Sequence, residues 1–114
     1  WDMYPFDEPY TGPIALMVSP FSVSAAEWFA QMLMDLPYVT VVGQQSASTN
    51  GTVTNVWLPG NFQVYFTGMR LLNLDGSQFH AIGVVPDVEV LPDVQDLADG
   101  IDPELEAAID VLLP

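Results

Sequence analysis

An unbroken apolar run, followed by a polar turn and a helical repeat, constrains the fold of this chain more than any other feature. The run Ile14–Val18 has the composition of a strand that is covered on both faces. Beyond the turn, apolar residues recur at helical spacing and predict a helix over 24–36: Ala25, Phe29, Met32, Leu33 and Leu36. A second apolar strand is predicted at Val39–Val42. Two short strands joined by a helix indicate a parallel pair with a right-handed crossover, and therefore an α/β fold.

The serine at the start of the predicted helix, Ser24, has two interpretations. Enzymes with a nucleophilic serine place its hydroxyl at such a strand-to-helix turn, where free N–H groups of the helix can bind a developing oxyanion. Alternatively, Ser24 and Glu27 form a capping box, in which the serine contributes about 0.5–2 kcal/mol to stability and no catalysis. The spacing alone does not decide between the two.

The composition argues against several classes of function. The chain has no cysteine, so disulfides, thiolate catalysis and cysteine-ligated metals are excluded. The formal charge of −14 and a single basic residue, Arg70, argue against a nucleic-acid partner and an anionic membrane surface. No apolar run approaches the ~20 residues of a membrane span. Trp1 in first place suggests a processed, excised or truncated chain.

The other segments of the chain differ in their sequence patterns. An antiparallel hairpin is predicted at Val53–Leu58 and Phe62–Thr67, around a Pro-Gly-Asn turn. A last helix is predicted from its N-cap Asp102 and from Pro103 at the first helical position. The predicted organisation is a single segment made of an N-terminal arm at 1–12, the strand–helix–strand unit at 13–42, a loop at 43–52, a mostly β region at 53–91 and a helical segment at 92–114.

Four elements, in this order, resemble the C-terminal half of the catalytic domain of tail-specific (C-terminal processing) serine proteases and the related tricorn-type peptidases. They are the segments Ser22–Glu27, Val41–Gly43, Leu58–Gly60 and Gly83–Val90. The resemblance covers most of residues 10–112. It implies a crotonase-like or Clp-protease-like stack of strand–strand–helix units, present here only in part. An uncovered apolar face on the first strand would follow.

The resemblance implies that Ser24 is the nucleophile and that the Ala25 N–H helps to hold the oxyanion. Processing proteases pair this serine with a lysine on the loop after the Val-Val-Gly strand. The corresponding loop here, 44–51, contains no lysine, and neither does the rest of the chain, so a Ser–Lys dyad is excluded. Tricorn-type relatives take a histidine from an upstream segment. The upstream half is absent from these 114 residues, so we expect the segment to be inert by itself.

Two further residues are candidates for the site. His80 is the only histidine, and histidine is the commonest general base at neutral pH. It either faces Ser24, directly or as a residue that orients the base, or it is an ordinary histidine on a strand. Arg70 either binds the terminal carboxylate of a substrate through a bidentate fork or pairs with a neighbouring acid.

The function predicted from the sequence is a serine peptidase module that hydrolyses peptide bonds, with its base supplied from outside the segment or by His80. The alternative is an inactive protease-like domain that binds peptides or serves in assembly. No cofactor or metal is expected. The expected partners are a peptide or protein substrate, the remaining N-terminal half of the catalytic domain and a possible second copy of the chain. The resemblance places the protein in the cell envelope or outside the cell.

Overall fold

A computed structural model describes residue 4 and residues 7–113. Residues 1–3, 5 and 6 of the predicted N-terminal arm lie outside the described residues, and residues 7–12 form no helix or strand. The elements along the chain are β1 (Ile14–Val18), α1 (Ala25–Leu33), β2 (Val39–Gly43), β3 (Val53–Leu58), β4 (Phe62–Thr67), β5 (Val88–Glu89), α2 (Val94–Asp99) and α3 (Pro103–Leu112). The fold is mixed α/β.

The parallel strand–helix–strand unit predicted from the apolar runs is confirmed. Strands β1 and β2 pair in parallel, with Ile14 opposite Val39. Strand β5 joins the other edge of β2, also in parallel, and gives the order β1-β2-β5. The attachment of β5 is reinforced by Asp87, whose carboxylate accepts a 2.8 Å hydrogen bond from the N–H of Val41. Helix α3 packs on β1 and β2.

The predicted hairpin is confirmed, and the structure gives its register. Strands β3 and β4 pair antiparallel from Val53 opposite Thr67 to Leu58 opposite Phe62 and form a separate two-stranded sheet. Asn61 in the turn has a φ of 64°, a left-handed conformation that asparagine tolerates better than most residues. The helix predicted over 24–36 is shorter, because it ends at Leu33 and a turn precedes Pro37.

The C-terminal half contains less regular structure than the sequence suggests. Residues 68–87 form no named strand, and a single antiparallel bridge joins Leu72 to Gln78. In the predicted helical segment 92–114, residue 114 lies outside the described residues and the others include two helices, α2 and α3. The Asp93 carboxylate caps α2 by accepting from the N–H groups of Gln95 and Asp96. Helix α3 begins as predicted, with the Asp102 carboxylate accepting from the Leu105 N–H at 3.0 Å.

The buried core of the described residues is small. Its main cluster lies between the sheet, α1 and the segment after β4 and is formed by Val18, Ala30, Val41, Phe79 and Val84. Val42 and Ala108 are buried outside this cluster. In β1, where we expected an uncovered face, only Met17 is exposed. The hairpin is rich in exposed apolar side chains, among them Trp57, which is 59% exposed, and Phe62, which is 70% exposed. The radius of gyration, 17.7 Å, exceeds the ~13 Å of a compact domain of this length.

We expect the isolated 114-residue segment to self-associate or to bind a hydrophobic dye, because exposed apolar patches of this extent are rare on soluble monomers. Sedimentation velocity at low and high micromolar concentration and dye fluorescence measure this. Replacing Trp57 and Phe62 together by serine should reduce both effects, since neither side chain belongs to the buried cluster. A stable monomer at high micromolar concentration that binds no dye would contradict the prediction.

Candidate active site

Ser24 lies at the turn between β1 and α1 with an unusual backbone conformation. It is the N-cap of α1, with φ 55° and ψ −108°, and its side chain is exposed. An L-residue with positive φ stores about 1–3 kcal/mol of strain, and such strain concentrates at functional sites. Strained strand-to-helix turns present the nucleophilic serine in α/β-hydrolases. The turn is held by Ser22, whose hydroxyl accepts from the Ser19 N–H at 3.1 Å.

The hydrogen bonds at the start of α1 involve the backbone of Ser24. Its N–H donates to Oε2 of Glu27 at 3.1 Å, and its carbonyl accepts from the Trp28 N–H at 3.0 Å. Ser24 and Glu27 thus form a capping box, in which the Ser24 hydroxyl approaches the Glu27 N–H too loosely to make a capping hydrogen bond. Within the described residues, the Ala25 N–H has no hydrogen-bond acceptor. Neither the Ser24 hydroxyl nor the Ala25 N–H is therefore used in a hydrogen bond that caps the helix.

Glu27 is the centre of a buried polar cluster. The sequence pattern predicts only its capping role next to Ser24. Its carboxylate is 0% exposed. Besides the Ser24 N–H, it accepts from the Ser46 hydroxyl at 2.5 Å, the Ser48 N–H at 2.6 Å and the Thr49 N–H at 3.0 Å. A buried carboxylate is tolerated when its oxygens are satisfied by donors in this way. Three of the four donors come from the loop at 43–52, so this carboxylate holds the loop against the start of α1.

The loop is also fixed on its other side. The Ser46 hydroxyl, which donates to Glu27, accepts from the Val84 N–H at 2.9 Å. Gly83 has a φ of 72°, and a side chain there would collide with Ser46 and Ser48. The Gln45 side chain donates to the Ile82 carbonyl at 2.5 Å. The loop is therefore clamped between α1 and the segment at 81–84.

Ser24 and Ala25 open onto a groove of about 400 Å³. Its other lining residues come from α1, the loop, β3 and the segment after β4: Trp28, Asn50, Gly51, Thr52, Val53, Met69 and Leu71. Most of these side chains are apolar, and none is charged. Asn50 is 5% exposed, and its side-chain nitrogen is buried without a hydrogen-bond partner among the described residues.

His80 and Arg70 lie in a different cavity. Together with residues 67–69 they line a space of about 310 Å³ that shares Met69 with the Ser24 groove. His80 lies in a turn and not on a strand. Its Nδ1 accepts a long, 3.5 Å hydrogen bond from the Leu71 N–H, and its Nε2 is buried with no partner in the described part of the chain. The structure thus brings Ser24 and Ala25 together, with His80 and Arg70 in the adjoining cavity.

The described part of the chain has neither a metal site nor a membrane-spanning helix. In residues 7–113 and residue 4, no group of three or more histidine, aspartate or glutamate side chains could hold a metal ion. No helix of those same residues has the length and apolar character to cross a membrane.

Comparison with known proteins identifies the family. The model of peptidase family S41 matches residues 4–90, so the chain belongs to peptidase family S41. An uncharacterized protein of Chlamydia muridarum (strain MoPn / Nigg) is 30% identical over 84 residues, which are 71% of this chain and 14% of that protein. Family S41 contains serine peptidases, so the chain is a serine-protease-like module.

Solved structures show the same relationship. A protein from Parabacteroides merdae ATCC 43184 has a TM-score of 0.88 and 29% identity, over 96% of this chain and 35% of that one. The photosystem II D1 C-terminal processing protease has a TM-score of 0.58 and 28% identity, over 88% and 24%. The tricorn protease has a TM-score of 0.74 and 23% identity, over 89% and 10%, and shares the fold. The resemblance to processing and tricorn-type proteases is confirmed, and the chain spans about a third or less of these relatives.

Proposed function

We propose that this chain is the C-terminal part of a serine peptidase catalytic domain and that Ser24 is its nucleophile. The conformation of Ser24 carries the proposal, because a strained N-cap with an exposed side chain and no capping hydrogen bond from its hydroxyl faces a groove. The substrate is a peptide or protein. The segment would contribute part of a crotonase-like stack that the upstream half completes, in a protein of the cell envelope or the extracellular space.

In the proposed reaction, a general base takes the hydroxyl proton of Ser24, and Oγ attacks the carbonyl carbon of the peptide. The electron pair of the C=O bond moves onto the oxygen, which the Ala25 N–H stabilises. Collapse of the tetrahedral intermediate breaks the C–N bond, and the protonated base gives its proton to the leaving amine. Water then hydrolyses the acyl-enzyme by the same route.

The base is proposed to come from the remainder of the catalytic domain. The side chains that line the Ser24 groove include no histidine, lysine or carboxylate. His80 is the second candidate: it adjoins the groove behind Gly51, where an added Cβ would lie 3.2 Å from its Nε2. Arg70 in the same cavity is proposed to bind a carboxylate of the substrate.

The groove without an ionisable side chain also supports a second candidate function, an inactive module that binds peptides or serves in assembly. In that case the apolar groove would hold a peptide side chain, and Ser24 would not react. The two candidates differ in the reactivity of the hydroxyl, which a chemical probe measures directly.

A fluorophosphonate probe should label Ser24 in the full-length natural chain that contains these residues. Chymotryptic digestion after Phe21 and Trp28 releases residues 22–28, in which fragmentation distinguishes Ser24 from Ser22. The isolated 114-residue segment should react at least about 100-fold more slowly, because it lacks the base. A full-length chain that binds peptide without labelling at Ser24 would refute the peptidase assignment and favour the second candidate.

A further inference from the structure

Asn50 is a buried polar residue whose side-chain nitrogen has no explanation in the fold. It is 5% exposed, it lines the Ser24 groove, and its Nδ2 finds no hydrogen-bond partner among the described residues. Buried polar atoms in folded proteins are almost always paired, so an unpaired one at the wall of a candidate site indicates a group that binds there.

The Glu27 cluster determines where Asn50 lies. Oε2 of Glu27 accepts from the N–H groups of both Ser24 and Thr49, at 3.1 and 3.0 Å. The two nitrogens are therefore no more than about 6 Å apart, and Asn50 follows Thr49 in the chain. One buried carboxylate thus sets the position of the candidate nucleophile and of this amide together.

The start of α1 provides a second unpaired donor near Ser24. The Ala25 N–H belongs to the first turn of a nine-residue helix and has no hydrogen-bond acceptor in the described part of the chain. Such N–H groups favour negative charge, which the partial positive charge of the helix terminus reinforces. An unpaired backbone N–H and the unpaired side-chain amide of a groove-lining residue, whose nitrogen is buried, therefore lie near Ser24.

We propose that the side-chain amide of Asn50 acts with the Ala25 N–H as an oxyanion-binding donor, and so is a catalytic residue. The inference rests on the proposed peptidase function. No hydrogen bond within the described residues fixes the orientation of the amide, and a half-turn exchanges its oxygen and nitrogen. The –NH₂ group can therefore point into the groove when an oxyanion forms there.

The chemistry assigned to Asn50 is hydrogen bonding without proton transfer. When Oγ of Ser24 attacks, the electron pair of the carbonyl moves onto its oxygen, and the amide donates a hydrogen bond to that charge. When the intermediate collapses, the pair returns to form C=O and the hydrogen bond weakens. Asn50 keeps its protons throughout, so its absence slows the reaction without changing the need for a separate base.

Asn50→Ala and Asn50→Asp in the full-length chain should each lower kcat by about 10²- to 10³-fold with little change in KM, the range found when one oxyanion donor is removed. A peptide aldehyde forms an adduct with the serine, and the oxygen of this adduct takes the position of the oxyanion. The inhibition constant of the aldehyde should therefore rise in the variants as kcat falls. Asn61→Asp is the matched control: it adds the same charge in the exposed hairpin turn and should leave kcat unchanged.

Other outcomes separate this inference from the proposed function. If the wild-type chain cleaves peptides in a Ser24-dependent way and Asn50→Ala has the same kcat and the same aldehyde affinity, the oxyanion role is overturned and the peptidase function stands. If kcat and the urea midpoint of unfolding fall together while the ratio of aldehyde to substrate affinity stays constant, Asn50 is structural and the inference is overturned. If the wild-type chain neither reacts at Ser24 nor cleaves peptides, both fail.

Discussion

We expect Ser24→Ala in the full-length chain to abolish the proposed peptide cleavage, with a loss of kcat of at least about 10⁴-fold. Alanine cannot form the acyl-enzyme, so any remaining turnover would come from the oxyanion donors and the bound geometry alone. The free energy of unfolding should change by no more than about 2 kcal/mol, because the Ser24 hydroxyl makes no capping hydrogen bond. Peptide turnover and urea denaturation measure the two quantities.

The control for this substitution lies two residues earlier. Ser22 belongs to the same turn, and its hydroxyl accepts from the Ser19 N–H at 3.1 Å. Ser22→Ala therefore removes a hydrogen bond of the turn and should cost about 1 kcal/mol of stability while the proposed peptide cleavage is retained. Undiminished turnover in Ser24→Ala would exclude Ser24 as the nucleophile, whatever Ser22→Ala does.

Glu27→Ala should produce a large loss of stability. It removes the acceptor for four donors that converge on one buried carboxylate. Each buried donor left unpaired costs about 1–3 kcal/mol, and partial hydration of the vacated space offsets some of the sum, so a loss of about 3–5 kcal/mol is expected. The urea midpoint of the full-length chain measures it.

Two further variants test the cause. Glu27→Gln keeps the shape but turns an –NH₂ group toward donors, so its loss should be smaller, about 1–3 kcal/mol. Glu106→Ala is the matched control: this glutamate is exposed in α3, and the loss should be less than about 1 kcal/mol. Equal urea midpoints for Glu27→Ala and Glu106→Ala would show that the cluster does not stabilise the fold.

The sequence predicted those parts of the fold that depend on local patterns. The apolar run at β1, the period-two alternation of the hairpin and the Asp102-Pro103 signal each reflect neighbours within a few residues, and the structure has each of them. The predicted end of α1, at residue 36, is wrong, because the helix ends at Leu33. The apolar period continues to Leu36, but Pro37 disfavours the helical conformation of the residue before it.

The candidate site was predictable only in part. Ser24 and Ala25 could be located because the strand-to-helix turn is a local signal. The role of Glu27 could not, since its partners are backbone N–H groups about 20 residues further along, and a backbone N–H leaves no trace in the residue type. Asn50 could not be predicted from the sequence either, because its unpaired nitrogen is a property of the assembled groove.

The short sequence separation within the polar cluster around Glu27 has a consequence for the order of folding. The hydrogen bonds that Glu27 accepts span at most 22 residues, and the β1–β2 pairing spans 25. The contacts that attach the C-terminal third are far less local: 46 residues separate Val41 from Asp87, and 60 separate Gln44 from Glu104. Closing a shorter loop costs less chain entropy, so β1, α1, β2 and the loop can assemble first. On a growing chain, the turn that carries Ser24 would then be formed before α3 is synthesised.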